Sequence, residues 1–327
     1  MPTLVNAPDL SIILPMYNEE AVVRLALTEV RLRASELGLR YEVVCVNDGS
    51  SDETGSLLDQ EAALDPELVV IHFSRNFGKE AALAAGLDQA RGQAVILLDS
   101  DLQHPPALLG EFVRRWQAGA DVVNGVKVQR GNESPAYRAA AAVFNGLMGT
   151  SLPRTGRAEA FAGSSDFKLL DREVIEALKS CPERNRFFRG LVAWVGFRVE
   201  TVPFEVQERV AGTGKWSLGA LFRYSLRNLL AFSAFPLRLV ATIGFTMLLF
   251  TVGLGSWTLY RYVRGDALAG FPTVILVELL LGSLVLTSLG VVSLYLAEMF
   301  DELKGRPIYV CRSATAERRP RAPGSSP

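Results

Sequence analysis

The sequence predicts an α/β fold with a mostly parallel sheet, followed by two long apolar helices towards the C-terminus. Three observations predict it. From residue 10 to about residue 128, short aliphatic runs alternate with helical patterns, the signature of a parallel sheet covered on both faces. The polar clusters YNEE, NDGSSD, SRNFGK and DSDLQ follow successive aliphatic runs, and in such sheets ligands bind beyond the C-terminal ends of the strands. Two apolar runs then appear at 239–260 and 271–297, each long enough to cross a bilayer, which takes about 20 residues as a helix.

LSIILP reads as the first strand, and NEEAVVRLALTEVRLRASELG as a helix with Asn18 at its N-cap and Glu19 and Glu20 in its first turn. YEVVCV leads through NDGSSDET into a second helix, and LVVIHF leads into SRNFGKEAALAAGLDQA. AVILL leads into DSDLQHPP, whose two prolines open the helix ALLGEFVRRWQAG. DVVNGVKV closes the series. An irregular stretch, 129–163, holds a short helix at 136–148 among glycines and basic residues. FAGSSDFKLLDREVIEALKS reads as a strand running into a helix, with Asp166 on the strand, and 198–207 as a further strand. Residues 217–231 carry apolar positions at helical spacing with Arg223 and Arg227 among the polar ones, a helix lying in a membrane interface.

Composition narrows the class. The 34 basic and 35 acidic residues nearly cancel, which gives no electrostatic basis for binding nucleic acid. Hydrophobic residues make up 49% of the chain, high for a soluble protein. Cys45, Cys181 and Cys311 have neither metal nor disulfide spacing. MPTLVNAPDLSIILP lacks the basic flank and long apolar core of a signal peptide, so the first part is expected in the cytoplasm. The run at 239–260 has no charge, and Glu278 is the only charge at 271–297. Arg223, Arg227 and Arg238 before the pair, with Lys304, Arg306 and Arg312 after it, outvote Arg261 and Arg264 in the linker. Both ends of the hairpin are therefore expected on the cytoplasmic side, which makes the chain a multi-pass protein of the inner (plasma) membrane. Gly282 and Ser283 offer a small-residue surface for homo-oligomers.

In VILLDSDLQHPP, an aliphatic run ends on Asp99 and Asp101. If the strand continued, both would share a face and repel unless something positive stood between them. A hard divalent cation with oxygen ligands is one partner; a polar loop in which Asp101 starts a turn is the other reading. Other signatures fail. No GxGxxG follows the first strand, and neither Gly78–Lys79 nor Gly214–Lys215 completes a phosphate loop. His72 and His104 form no metal pair, and His104 reads as a local hydrogen-bonding residue.

Over nearly its whole length the sequence resembles the family 2 glycosyltransferases, and more narrowly the polyprenyl-phosphate subgroup of bactoprenol glucosyltransferases and dolichol-phosphate mannose synthases. The matching pieces are LPMYNEE, VNDGSSDET, RNFGKEAAL, LDSDLQHPP, AGSSDFKLL, PERNRFFRGLVAWVGF and ERVAGTGKWSL, then the late KGRPIYV. Thr213 and Gly214 depart from the pair many relatives carry. The resemblance implies a Rossmann-like A-type glycosyltransferase domain over 1–210, an interfacial helix over 211–235, two transmembrane helices over 236–300 (about 237–260 and 271–297), and a cytoplasmic tail over 301–327 with a disordered end.

The resemblance also implies roles. Asp101 and Gln103 would hold Mg²⁺ or Mn²⁺, and Asp99 with Ser100 would serve the nucleotide-sugar. Pro15, Tyr17, Asn18, Glu20, Asp48 and Lys79 would line the nucleotide site. Asp166 would be a base or orient the acceptor, and Arg209 and Lys215 would hold the acceptor phosphate. The implied reaction is inverting transfer of a hexose from a UDP-sugar, UDP-glucose foremost, to undecaprenyl phosphate for cell-envelope glycan modification. GDP-mannose transfer of the dolichol type and a silent membrane scaffold are the alternatives. A processive polysaccharide synthase would need QxxRW on a later helix; EFVRRW at 111–116 starts with Glu and lies too early.

Overall fold

The structure is a computed structural model that describes residues 7–127, 164–184, 186–205, 235–265 and 271–314. The 129–163 stretch, the interfacial helix at 217–231, Thr213, Gly214, Arg209, Lys215 and the end of the tail lie outside the described residues. The chain divides into two compact units: one contains the sheet, including residues from 306 onward, and the other contains the two long helices.

The sheet has eight described strands: β1 Leu10–Met16, β2 Tyr41–Asn47, β3 Leu68–Phe73, β4 Ala94–Leu97, β5 Val122–Lys127, β6 Ser164–Asp171, β7 Val199–Phe204 and β8 Cys311–Ala314. Their order is β7-β5-β6-β4-β1-β2-β3-β8. β6 is antiparallel to β4 and β5, and β8 to β3; the other pairings are parallel. The helices are α1 Val23–Ser35, α2 Thr54–Leu64, α3 Lys79–Gln89, α4 Leu109–Gln117, α5 Arg172–Ser180 and α6 Phe188–Val195. β1, β2 and β4 are buried along almost their whole length, as befits strands covered on both faces. Phe112 of α4 stacks on Phe167 of β6 at 4.3 Å between ring centroids, inside a core that includes Leu10, Leu14, Leu27 and Val43. Burying each such side chain stabilises the fold by about 1.5–3 kcal/mol.

The chain winds outward from β1 to β3 on one side, then returns to add β4 on the other. This reversal leaves a crevice beyond the strand ends between β1 and β4. β4 pairs with β1 only as far as Ile13 opposite Leu97. Pro15 follows, with no N–H to offer a neighbouring strand, so β1 runs on beside β2 alone.

Two expectations are corrected, and one choice left open by the sequence is decided. α1 begins at Val23 with no side-chain cap; Asn18, at φ 52°, uses its side chain on the neighbouring loop instead. β4 ends at Leu97, so Asp99 and Asp101 stand on a turn rather than on one face of a strand. Cys311–Ala314, expected to be tail without regular structure, forms β8 on the outer edge of β3. The EFVRRW segment is structural: Trp116 donates its indole N–H to Asp171 at 2.7 Å, and Arg115 pairs with Glu111 at 2.7 Å.

The second unit contains α7 Phe235–Val263 and α8 Phe271–Leu303, both longer than the apolar runs foresaw. Phe245, Leu248, Phe250, Trp257, Val285 and Leu286 are exposed, and none of the described residues in the apolar stretches at 236–258 and 280–303 is fully buried. The hydroxyls of Thr242, Thr246 and Thr287 donate to carbonyls four residues back at 2.8 Å, so their polar atoms are satisfied within the helix.

Candidate active site

The polar loops at the strand ends fasten to one another before they make a site. After β1, the Asn18 amide donates to Ser50 Oγ at 2.9 Å and Asn18 Oδ1 accepts from the Ser51 amide at 2.8 Å. Glu19 N–H reaches Thr54 Oγ1 at 2.8 Å, and Glu20 accepts from the Glu53 amide at 3.0 Å. Tyr17, beside them, is exposed. Gly49, at φ 64°, is the joint to the next loop: a Cβ there would stand 2.2 Å from the Arg75 carbonyl carbon. Asp48 is buried and accepts from the amides of Phe77 at 2.6 Å and Gly78 at 2.9 Å. Burial raises its pKa, and those two amides pull against the rise.

The loop after β3 delivers Lys79, the first residue of α3, into the crevice. Its ammonium lies 2.5 Å from Asp99 Oδ1 and 2.7 Å from Asp166 Oδ2. The positive group beside Asp99 is therefore a lysine of this chain. Desolvation works against the Lys79 charge, but Asp166 and Asp99 outweigh it and hold its pKa above the ordinary value.

Asp166 reaches this point because β6 is reversed. Lys168 lies opposite Leu97 in the antiparallel register, so two residues towards the start of β6 bring Asp166 level with Asp99. Alternation puts Asp166 and Lys168 on one face of β6 while Phe167 and Leu169 enter the core. Arg189, in the first turn of α6, grips Asp166 with both arms, Nε to Oδ1 at 2.6 Å and Nη2 to Oδ2 at 3.0 Å. The start of α6 is held in turn by Glu80 of α3, which accepts from the Phe188 amide at 2.9 Å. Burial alone would raise the Asp166 pKa, yet Arg189 and then Lys79 hold it well below the carboxylate value.

Three further groups complete the cluster. Lys127, at the end of β5, has its pKa lowered by desolvation of its head group and then by Arg189. Lys168 is buried and donates to Asn124 Oδ1 at 2.5 Å; burial and then Arg189 bring its pKa down to about 7. His104 packs between Phe167 at 5.4 Å and Phe204 at 5.3 Å, its Nδ1 3.5 Å from Asp99 Oδ2. Burial keeps it neutral more firmly than an exposed histidine. Lys79, Lys127 and Arg189 thus face Asp99 and Asp166 with positive charge in excess.

The turn after β4 carries Ser100, which is buried, then Asp101 and Gln103. Asp101 Oδ1 accepts from the Gln103 amide at 3.1 Å. Leu102 between them has φ 57°, a conformation that costs a β-carbon residue roughly 1–2 kcal/mol. Its side chain is pinned in a buried cluster with Val22 and Ala26, so apolar packing holds the strained turn. Among the described residues no three His, Cys, Asp or Glu side chains gather as a cage. Oxygen donors on Asp101 and Gln103 fit a hard cation that takes its remaining ligands from water and phosphate, as Mg²⁺ does.

The structure brings Lys79, Asp99 and Asp166 into direct contact and sets Asp48 directly behind the Lys79 loop. It does not place Asn18 or Glu20 against them, since those side chains lock the first two loops together. Sequence reasoning gave no role to Arg189, Lys127 or Lys168, and assigned His104 only local hydrogen bonding. Arg189 did lie inside the quoted RNRFFRG segment, where a cation beside buried aromatics was the available signal.

The profile of Glycosyl transferase family 2 matches residues 11–179. An uncharacterized glycosyltransferase of Synechocystis sp. is 36% identical over 303 residues, 92% of this chain and 94% of its own length. A prophage-derived bactoprenol glucosyl transferase of Shigella flexneri is 36% identical over 306 residues, 93% of this chain and 98% of its own. Among solved structures, glucosyl-3-phosphoglycerate synthase of Mycobacterium tuberculosis, in complex with Mn²⁺ and uridine-diphosphate-glucose, aligns at a TM-score of 0.47 and 18% identity. That alignment covers 68% of this chain and 77% of that one.

Proposed function

The chain belongs to glycosyl transferase family 2, and from that premise we propose that it moves a hexose from a UDP-sugar, UDP-glucose foremost, to a polyprenyl phosphate. The bactoprenol glucosyl transferase of S. flexneri, similar along nearly its whole length, supports this acceptor. The observation that carries the reading is the state of Asp166. A sugar hydroxyl needs a base whose pKa lies near the working pH. Asp166 is held ionised by Arg189 and Lys79, far too acidic for that task. A lipid monophosphate needs no such base, because a phosphate monoester already carries about −1.5 to −2 charges at pH 7.

Asp166 then acts as the anchor that fixes two cations. Arg189 turns the positive charge of its guanidinium towards an incoming phosphate oxygen, and Lys79 neutralises charge developing on the departing nucleoside diphosphate. The phosphate oxygen attacks the sugar C1 in line, the bond to the diphosphate breaks, and an α-linked donor gives a β-linked lipid-phosphate sugar. Asp48, Tyr17 and Pro15 border the nucleotide pocket, with Asn18 and Glu20 fixing its loops, while Asp99 and Ser100 meet ribose or sugar hydroxyls. Asp101 and Gln103 would hold Mg²⁺ or Mn²⁺, which when bound supplies Lewis-acid neutralisation of the diphosphate. Arg209 and Lys215 would hold the acceptor phosphate. α7 and α8, about 43 and 50 Å long at 1.5 Å per residue, would cross the bilayer as a hairpin with the sheet unit on the cytoplasmic side.

Membranes containing the protein, given undecaprenyl phosphate and labelled UDP-glucose, UDP-N-acetylhexosamines or GDP-mannose, test the proposal. Label from a UDP-sugar in the organic phase, lost with EDTA and in Asp101→Asn, is the expected result. Label from GDP-mannose alone would replace the donor. No lipid label from any donor would overturn the transfer reaction.

A further inference from the structure

The strand that follows the two long helices grips the segment that delivers Lys79. β8 pairs along β3, with Phe73 opposite Cys311, and the Ser74 amide donates to the Val310 carbonyl at 2.9 Å. Just ahead of β8, Tyr309 lays its ring on Phe73, 5.1 Å between centroids and 14° from parallel. Its hydroxyl donates to Asp88 Oδ2 at 2.7 Å. Phe73 in turn meets Phe77 edge-on at 5.6 Å, and the Arg75 guanidinium covers the other ring at 3.9 Å. Phe77 and Gly78 carry the amides bound to Asp48, and Lys79 comes next.

Tyr309 therefore holds both ends of one hinge. Phe73 ends the strand before the 74–78 loop, and Asp88 lies on the helix after it, the helix that Lys79 begins. Gly78, the residue between loop and helix, has φ 98°, a backbone state open to glycine at little cost. α3 itself is packed on the sheet through Ala81–Leu87, so without a brace that joint is the natural place for the 74–78 loop, and the Lys79 it delivers, to shift. Edge capping alone would call for backbone pairing along β3. It would not call for an aromatic ring on the last residue of the strand and a hydroxyl on the next helix.

We propose that Tyr309 is a positioning residue for the transfer reaction: the segment at 306–314 braces the 74–78 loop and α3, and so holds Lys79 between Asp99 and Asp166 for the nucleotide diphosphate. The kinetic part of this inference rests on the transferase reading above; the brace itself does not. Lys79 faces the leaving diphosphate, so loosening it weakens donor use before it touches the lipid acceptor.

The test uses the full chain in membranes or detergent. Amide hydrogen exchange over 74–78 reads the brace without any substrate. Steady-state transfer with UDP-glucose and undecaprenyl phosphate reads its consequence. Tyr309→Ala is expected to speed exchange at 74–78 by about tenfold and to raise the UDP-glucose KM about five- to tenfold, leaving the lipid KM within about twofold. Tyr309→Phe, which keeps the ring stack and loses the Asp88 bond, is expected to recover most of that KM. Asp88→Ala, which removes the acceptor and leaves the ring in place, should match Tyr309→Phe. Unchanged exchange at 74–78 in Tyr309→Ala overturns the brace. Faster exchange with donor and lipid KM rising equally overturns the positioning role and leaves edge capping. If the wild type transfers sugar from no donor, the transferase reading fails while the exchange result still decides the brace.

Discussion

The two sides of the crevice are built by opposite means. On the side of β1, β2 and β3, each loop is held by the next: Asn18 to Ser50 and Ser51, Glu20 to Glu53, Asp48 to Phe77 and Gly78. Among the described residues on the side of β5, β6 and α6, the contacts that build the site are of another kind. There, charged side chains from distant segments hold one another, Lys79 and Arg189 on Asp166. The first side is a scaffold of backbone amides donating to side-chain oxygens, each bond worth about 0.5–1.5 kcal/mol to a neutral acceptor and about 1.5–3 kcal/mol to a carboxylate. The second is a cluster of ionised groups out of water, in which removing one member strands the others. A defect should therefore be graded on the first side and steep on the second.

Asp166→Asn is the harshest test of that contrast. It leaves two cations without their shared carboxylate and should lower kcat by about a thousandfold or more in the lipid-transfer assay; a loss under tenfold would break the comparison. The same carboxylate sets the acid behaviour. Its folded pKa lies below the ordinary 3.8, so its contribution to stability is complete above that value and is lost as pH falls through the folded one. Apparent Tm measured in detergent should lose an acid-dependent component below about pH 4 in Asp166→Asn.

Arg189→Lys keeps the charge but not the two-armed grip. A fall of about 10- to 100-fold in kcat/KM is expected, with the Asp166 pKa moving back towards 3.8; an unchanged rate would show that charge alone suffices. Asn18→Ala should do less, raising the UDP-glucose KM about three- to tenfold and costing about 1 kcal/mol of stability. A collapse of kcat there would put Asn18 with the ionic side rather than the scaffold.

Lys168 gives the smallest and most specific effect. Its folded pKa of about 7 lies below the ordinary 10.5. Between those values the unfolded chain binds more protons than the folded one, so stability rises with pH across that window. Lys168→Met should raise the apparent Tm by about 2–4 °C at pH 6, with the gain shrinking by pH 9. A gain independent of pH would mean that the ammonium is not what the fold resists.

The same contrast explains what the sequence made legible. Strand and helix alternation revealed the sheet, because each aliphatic run and each helical stripe is local. YNEE, NDGSSD and SRNFGK were legible because their contacts are to the next loop along. The site proper was only partly so. Asp166 and Lys79 were singled out one at a time, but their pairing depends on β6 running backwards, which no local pattern encodes. Arg189 needed both that reversal and the Glu80 tether of α6. The turn at Asp99–Asp101 was only one of two readings because Leu98 continues the aliphatic run; the pull of Leu102 into the Val22 and Ala26 cluster, which decides for the turn, is a tertiary effect. β8 was missed because four residues with Arg and Ser among them make a weak strand signal, and only the open edge of β3 turns them into one.

That late strand also sets a clock. About 240 residues separate Phe73 from its partner Cys311, and at ~5–20 residues per second a ribosome needs roughly 12–50 s to make them. During that time β3 has an unfilled edge, open to strand pairing with any neighbouring chain. The sheet is closed only after both apolar helices have been synthesised. Crowded ribosomes, slow codons within the helices or delayed release would all lengthen the interval in which nascent copies can pair with one another instead of with their own last strand.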